Sequence, residues 1–230
     1  MKSANTARIA GVFYLLVAIC GGFAELYVRE HTVVQGGAAE TARNILASEQ
    51  LFRIAFTADL VMVTSYLLLG LTLYVLLEGV DKNIARLMVA FNVIGVPIMG
   101  LNMLNHFASL YVSSGAAYLS VFSVEQLNAL ALFFLDLHNY GYTIAQVSTG
   151  AWLLPLGYLV YKSGYFPKIL GILLIVAGVG YLVDLFAQFL LPNYADLIEI
   201  VALTPAAVGE FLFLFWLLVK GTKTKEVMVV

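Results

Sequence analysis

Residues 169–189 read ILGILLIVAGVGYLVDLFAQF, and Asp184 is the only charged residue in this run. A helix needs roughly 20 mainly apolar residues to cross a hydrocarbon core about 30 Å thick. The run therefore predicts a transmembrane helix. Five further stretches share its apolar character, and we predict one span in each of them: residues 9–27, 54–77, 84–107, 140–161 and 197–219.

The composition favours the same class of protein. The chain has 230 residues, of which 62% are hydrophobic and 11% charged, and its mean hydropathy is +0.93. Soluble domains carry about 25% charged residues, whereas a chain embedded in lipid needs apolar side chains on its outside as well as its inside. We therefore predict an all-α, polytopic bundle of six transmembrane helices that forms a single integral membrane domain over residues 1–230, with the lipid bilayer as its surroundings.

The charge balance and the cysteine count exclude other classes. The net charge is −2 and the sequence has no basic tract of the kind that binds nucleic acid, so no nucleic-acid partner is expected. Cys20 is the single cysteine. This excludes an intramolecular disulfide and a thiolate metal cluster.

Two segments between the spans carry helix signals. Residues 32–52 are too polar to cross the membrane, but apolar residues recur in them at helical spacing. We predict a short amphipathic helix lying at the membrane surface there, between the first and second spans. In residues 113–128, Ser123 is followed by Gln126 three positions later, a pattern typical of a helix N-terminus.

Basic residues outside the predicted spans indicate the orientation. Nine lie on the side that holds both termini: Lys2, Arg8, Lys82, Arg86, Lys162, Lys168, Lys220, Lys223 and Lys225. Three lie on the other side, all assigned to the first loop: Arg29, Arg43 and Arg53. Because cytoplasmic loops carry the excess of Lys and Arg, we expect a multi-pass protein of the cell membrane with both termini in the cytoplasm.

Polar residues within or at the edges of the spans are the candidates for a functional site, because such residues are costly to place in lipid. In the spans that rise from the cytoplasm, a polar residue follows the first basic one after 16 or 17 positions: Glu25, Asn102 and Asp184. At 1.5 Å per residue this is about 24 Å along the helix, close to the outer boundary. The descending spans meet polar residues early, at Asp59, at residues 136–139 and at Glu199. All six spans are thus expected to present polar groups at a similar outer depth.

Helical spacing groups several of these side chains on shared faces, which we expect to point inward. The groups are Asn102 with Asn105 and His106, Asp136 with Asn139 and Tyr140, and Asp184 with Gln188. The predicted result is a polar pocket open to the outside, lined by Glu25, Asp59, Asn102, Asn105, His106, Asp136, His138, Asn139, Asp184 and Gln188. Glu210 lies nearer the middle of the membrane, either as the floor of this pocket or as a separate contact between helices.

Three stretches carry a resemblance to a known family: ARIAGVFYLLVAICGGFAELYVR at 7–29, NILASEQLFRIAFTADL at 44–60 and DLHNYGYTIAQVSTGAWLLPLGYLVYKSGYFPKILGILLIVAGVGYLVD at 136–184. Together they resemble a prokaryotic membrane family catalogued as domain of unknown function 4386. The resemblance extends over nearly the whole chain and implies a six-helix membrane domain of unassigned activity. It supplies no catalytic residues.

The residues leave three functions open. A sensor, carrier or binding protein for a small apolar or amphipathic, lipid-like ligand needs only apolar walls with a few convergent polar groups. An intramembrane metal-dependent hydrolase is the second, since two imidazoles and a carboxylate hold zinc and leave a position for activated water. Its predicted ligands are His106, His138, Asp59 and Asp184. Asp136 and His138 diverge on a regular helix, so both bind one ion only if the helix breaks there. The third function is ion-coupled transport, for which buried acids are typical.

Overall fold

The computed structural model describes residues 2–222 and the side chains of residues 4–222. Lys223 and Lys225, which contribute to the predicted orientation, lie outside the described residues, as does the side chain of Lys2. The described chain is helical and contains no strand. Its α-helices are α1 Lys2–Gly22, α2 Glu30–Thr32, α3 Ala38–Ala47, α4 Glu49–Leu77, α5 Lys82–Ser113, α6 Val124–Ser163, α7 Lys168–Leu190 and α8 Ala195–Val219.

The predicted spans coincide with long helices. Five segments are long and apolar enough to cross a membrane by length and composition, and each contains one predicted span: Ala4–Thr32, Glu49–Leu77, Lys82–Ser113, Lys168–Leu190 and Pro192–Val219. The remaining predicted span, 140–161, lies in α6, a helix of 40 residues. Polar residues such as Gln146 and Ser148 interrupt the apolar sequence of this helix. The all-α, polytopic membrane class is confirmed.

A π-helical segment, Phe23–Arg29, connects α1 to α2 without a break in the helix. π-Helical turns are rare and frequently occur at functional sites. This segment carries both Glu25 and Arg29. The assignment of Arg29 to the first loop is therefore wrong: the first helix continues to Thr32, and Arg29 is buried, with 5% of its surface exposed.

The chain divides into two compact units. The first contains Met1–Leu15, Ser65–Val96 and Thr143–Val230, and the second contains Leu16–Thr64 and Pro97–Tyr142. Glu210, for which the sequence left two roles open, belongs to the first unit. Tyr14 and Tyr181 donate hydrogen bonds to its two carboxylate oxygens, the second at 2.8 Å. Glu210 therefore makes a contact between α1, α7 and α8.

In the second unit, the predicted amphipathic helix is α3, and its apolar side packs against protein. Ile45 and Ala42 are buried, and Ile45 belongs to a core cluster with Phe52, Val28 and Leu135. Burial of this apolar face fixes α3 beside the π-helical segment, since Val28 lies within that segment.

The N-terminus of α6 follows the pattern predicted from Ser123 and Gln126. The backbone N–H of Ser123 donates to Gln126 Oε1 at 2.8 Å, and the backbone N–H of Gln126 donates to Ser123 Oγ at 3.3 Å. This reciprocal pair satisfies two N–H groups that a helix start leaves without an intrahelical partner. The Ser123 hydroxyl also donates to Glu125 and lowers the pKa of that carboxyl.

Candidate functional site

A buried ion pair forms the centre of the second unit. Arg29 Nη1 lies 2.6 Å from Asp59 Oδ2, and Asp59 is fully buried. Arg29 Nε donates to Glu25 Oε2, also at 2.6 Å. Tyr142 donates its hydroxyl to Asp59 Oδ1 at 3.3 Å, and the guanidinium lies 5.8 Å from the Tyr142 ring centre. One guanidinium therefore balances two carboxylates, one of them removed from solvent.

His106 lies against this ion pair with a defined orientation. Its ring stacks on Phe52 with 4.0 Å between ring centres, and its Nε2 lies 3.2 Å from the Phe52 carbonyl oxygen. Because a carbonyl oxygen only accepts hydrogen bonds, Nε2 carries the proton. The lone pair of Nδ1 then faces Arg29 Nη1, which is 3.4 Å away.

His138 is oriented by α5 in the same manner. Its Nδ1 lies 3.3 Å from the Asn102 carbonyl oxygen, so Nδ1 carries the proton and Nε2 keeps a lone pair. His138 Nε2 is buried and has no hydrogen-bond partner in the described residues. In return, Asn102 Nδ2 donates to the His138 carbonyl at 2.8 Å, and Asn105 Nδ2 donates to Asn102 Oδ1 at 3.0 Å. The predicted grouping of Asn102, Asn105 and His106 on one face thus places two amides and an imidazole beside α6.

This connection between α5 and α6 depends on Gly141. A Cβ atom on Gly141 would overlap the Asn102 side chain, whose amide makes the hydrogen bond to His138. We expect Gly141→Ala to lower the free energy of unfolding by about 1–3 kcal/mol, because Asn102 must shift to relieve the overlap. Thermal unfolding in detergent measures this loss.

Gly22→Ala is the matched control, since a Cβ at that glycine would have no heavy atom within 4 Å. This control should be neutral or slightly stabilising, because alanine favours a helix by up to about 1 kcal/mol over glycine. Equal melting temperatures for the two variants would argue against close packing at Gly141.

Three buried side chains bring metal-ligand atoms together. One ligand atom from each of Asp59, His106 and His138 lies within 4.8 Å of the other two. Asp184, the fourth predicted ligand, belongs to the first unit, where Gln146 Nε2 donates to it at 2.9 Å. Asp136 is not part of the group. Because α6 is unbroken, the condition for Asp136 and His138 to share one ion is not met.

A pocket with a volume of about 360 Å³ opens beside this cluster in the second unit. Its walls combine charged, amide and apolar residues: Glu25, Arg29, Glu30, Val33, Gln35, Leu135, Asp136, His138 and Asn139. Four residues of the predicted pocket are in this lining: Glu25, Asp136, His138 and Asn139. Four others lie in the same unit outside the lining: Asp59, Asn102, Asn105 and His106. Gln188 belongs to the first unit, where it donates to Asp184 at 3.3 Å.

The sequence pattern predicts that Asp136 and Asn139 point inward from α6, and the structure differs from this expectation. Asp136 and Asn139 lie on the exposed side of the helix, whereas His138 is buried with 2% of its surface exposed. The reason is that Leu135 and His138, three residues apart, form the apolar and aromatic stripe that packs inward. Asp136 and Asn139 consequently contribute to the rim of the pocket.

Arg29 and Tyr142 are the residues of this cluster that the sequence reasoning missed. The available signal for Arg29 was its position four residues after Glu25, a spacing at which opposite charges pair on a helix. A second signal was Asp59 itself, because an acid within a span is usually paired. Tyr142 carries no comparable signal among the many tyrosines of the chain.

The fold and the cluster define a class: a multi-pass, all-helical membrane protein with a buried group of one arginine, one aspartate and two histidines. Residues 9–221 match the family described as Domain of unknown function (DUF4386), and the chain belongs to that family. An uncharacterised protein of Archaeoglobus fulgidus is 35% identical over 159 residues, which cover 69% of this chain and 78% of that protein. No solved structure matches the chain. The family predicted from the three resembling stretches is confirmed.

Proposed function

We propose that this chain is a membrane-embedded binding protein for a small amphipathic molecule with a positively charged head group. The charge of the pocket supports this proposal. Glu25, Glu30 and Asp136 line it together with a single cation, Arg29. That cation is already paired with Asp59 and Glu25. The pocket and the ion pair together therefore carry an excess of negative charge, which attracts cations.

The apolar part of the ligand is suggested by the remaining walls and by the surroundings. Val33 and Leu135 contribute apolar surface to the lining, and the helices that carry the site are long and apolar enough to lie in a bilayer. The volume of about 360 Å³ is near the lower end of the range for small-molecule sites. It suits a head group and a few carbon atoms, with the rest of the chain in lipid. In the orientation predicted from the basic residues, which a carboxyl-terminal reporter fusion tests, the pocket opens to the cell exterior.

Three amphiphiles with the same alkyl chain test this proposal: an alkylammonium, an uncharged alkyl glycoside and an alkyl sulfate. We expect the ammonium compound to bind the purified protein at least about tenfold more tightly than the uncharged one, since tenfold corresponds to about 1.4 kcal/mol, a modest attraction for partly exposed opposite charges. Titration calorimetry in a neutral detergent provides the affinities. Sulfate binding as strong as ammonium binding would contradict the proposed head group.

A double variant that replaces two carboxylates by uncharged amides tests whether the preference for ammonium arises at this pocket. Glu30→Gln/Asp136→Asn removes two carboxylates of the lining while keeping their size, and it should reduce the preference for ammonium to a few-fold at most. Glu125→Gln is the matched control, because Glu125 is an exposed carboxylate of α6 outside the lining. An unchanged preference in the double variant would mean that the amphiphile binds elsewhere.

Metal-dependent hydrolysis is a second candidate, and one observation favours it: the convergence of Asp59, His106 and His138 within 4.8 Å. His138 also lines the pocket, so an ion held by it would face a bound molecule. This function predicts cleavage of ester or amide amphiphiles that a chelator stops and zinc restores; activity that persists with the chelator excludes it. Ion-coupled transport gains no such support from the described residues. Glu210 is the acid that the sequence predicts to lie deepest, and both of its carboxylate oxygens accept hydrogen bonds from tyrosines.

A further inference from the structure

We propose that Asp59, His106 and His138 bind one divalent transition-metal ion and that Arg29 is an internal cation that competes with this ion for Asp59. The proposal is independent of the amphiphile: it requires only that the three ligand atoms capture an ion. It rests on the hydrogen bonds that orient the two imidazoles, on an unpartnered nitrogen and on the position of the guanidinium.

The two histidines present free lone pairs because the opposite nitrogen of each ring is engaged. His106 Nε2 donates to the Phe52 carbonyl and His138 Nδ1 donates to the Asn102 carbonyl. Metal-binding histidines usually donate their second N–H to a carbonyl or carboxylate in this way, which fixes the tautomer and the ring orientation. The nitrogens that remain as ligands are His106 Nδ1 and His138 Nε2.

His138 Nε2 is the second, independent sign of a ligand. It is buried and has no hydrogen-bond partner in the described part of the chain, although buried polar atoms are nearly always paired. The hydrogen bond to the Asn102 carbonyl accounts for Nδ1 of this ring but leaves Nε2 without a partner. A bound cation would supply the missing partner.

The three side chains are close enough to converge on one ion. One ligand atom from each residue lies within 4.8 Å of the other two, whereas two ligand atoms of a tetrahedral zinc ion are about 3.4 Å apart at a metal–ligand distance of about 2.1 Å. Binding would therefore draw the side chains closer together. Two imidazoles with one carboxylate favour zinc or ferrous iron, while magnesium and calcium prefer sites made of oxygen atoms alone.

Arg29 stands directly in competition with such an ion. Its Nη1 lies 2.6 Å from Asp59 Oδ2 and 3.4 Å from His106 Nδ1, so one nitrogen contacts two of the three ligand residues. An ion that binds there must displace the guanidinium, both for space and for charge. Glu25 and Glu30 line the pocket together with Arg29, and they offer carboxylates for the guanidinium in a displaced position.

The test measures zinc affinity of the detergent-purified full chain by competition with a chelating dye, with anaerobic ferrous iron and magnesium as separate arms. We expect the wild type to bind one zinc or ferrous ion and not to bind magnesium. Arg29→Met should bind the ion at least about tenfold more tightly, because its competitor is gone. His138→Phe keeps the ring that packs against Tyr142 but removes the ligand nitrogen, and it should weaken binding by more than the roughly 10- to 100-fold that loss of an outer partner causes.

Two further variants keep the proposal open to refutation. Arg29→Lys retains the positive charge beside Asp59 but has a shorter side chain, so it should compete less with the ion. Its zinc affinity should lie between those of the wild type and Arg29→Met. This variant provides the comparison if Arg29→Met does not fold. Arg53→Met removes an exposed arginine that pairs with Glu49 and should leave the affinity unchanged. Equal zinc binding by His138→Phe and the wild type overturns the metal site. An affinity of Arg29→Met or Arg29→Lys no higher than that of the wild type overturns the competition.

Discussion

Replacing Arg29 with methionine, without added metal, should lower the free energy of unfolding by about 3–5 kcal/mol, the usual loss when one partner of a buried ion pair is removed. Asp59 would keep only the Tyr142 hydroxyl as a partner, and it is fully buried. Asp59→Leu should be milder, because Arg29 retains Glu25. Equilibrium unfolding in mixed detergent micelles measures both values.

The double variant Arg29→Met/Asp59→Leu separates charge from packing. Buried ion pairs replaced together by apolar residues of similar volume are often neutral or more stable, so the double variant should recover most of the loss of Arg29→Met. Arg53→Met serves again as the surface control: its partner Glu49 is exposed, and such pairs contribute at most about 1 kcal/mol. Losses in the two single variants that simply add in the double variant would show that the pair is not coupled.

The transmembrane helices can be predicted from the sequence because a span depends only on the length and hydropathy of one continuous segment. Residues 169–189 are apolar for the full thickness of a bilayer, and α7, Lys168–Leu190, matches them within one residue at each end. The start of α6 is equally predictable, since Ser123 and Gln126 hydrogen-bond to each other within one turn of the chain. Local signals of this kind need no knowledge of neighbouring helices.

The candidate site was only partly predictable because the sequence predicts the depth of a residue along its helix but not which helices are neighbours. Asp59 and Asp184 are both acids at similar predicted depth, yet Asp59 belongs to the second unit with His106, whereas Asp184 belongs to the first unit. Such pairings depend on the order of the helices around the bundle. The hydropathy of single spans does not predict this order. Metal-binding by His106, His138 and Asp59 stays a prediction, with its geometry now defined.

The sequence predicts a loop at Arg29, whereas the π-helical segment continues the helix through this residue. A regular α-helix that ended near Tyr27 would leave Arg29 at the membrane boundary, where an arginine is expected. Continuation of the helix to Thr32 instead buries the guanidinium against Asp59. Glu25, the second partner of Arg29, lies in the same π-helical segment.

Gly171→Ala should have the second large effect, a loss of about 3 kcal/mol or more in the free energy of unfolding, at the upper end for an overpacked core. A Cβ atom there would lie 2.6 Å from the Gly157 carbonyl oxygen and 2.6 Å from the Tyr161 nitrogen. Both are backbone atoms, so α6 and α7 cannot relieve the overlap by changing a rotamer and must separate. Small residues at such crossings are what allows helices to pack closely in a membrane, where no hydrophobic force drives them together.

A second crossing shows that Gly171 is part of a repeated contact rather than an isolated one. Gly150 and Gly178 meet in the same way, each with a Cβ position less than 3 Å from the other's carbonyl oxygen. Gly150 and Gly157 are seven residues apart on α6, as are Gly171 and Gly178 on α7, so each helix presents two glycines on one face. Gly100→Ala in α5 provides the control, because a Cβ there would meet nothing within 4 Å. That variant should match or slightly exceed the wild type in stability, and Gly178→Ala should resemble Gly171→Ala; if all three variants unfolded at the wild-type denaturant concentration, glycine would not be what holds α6 and α7 together.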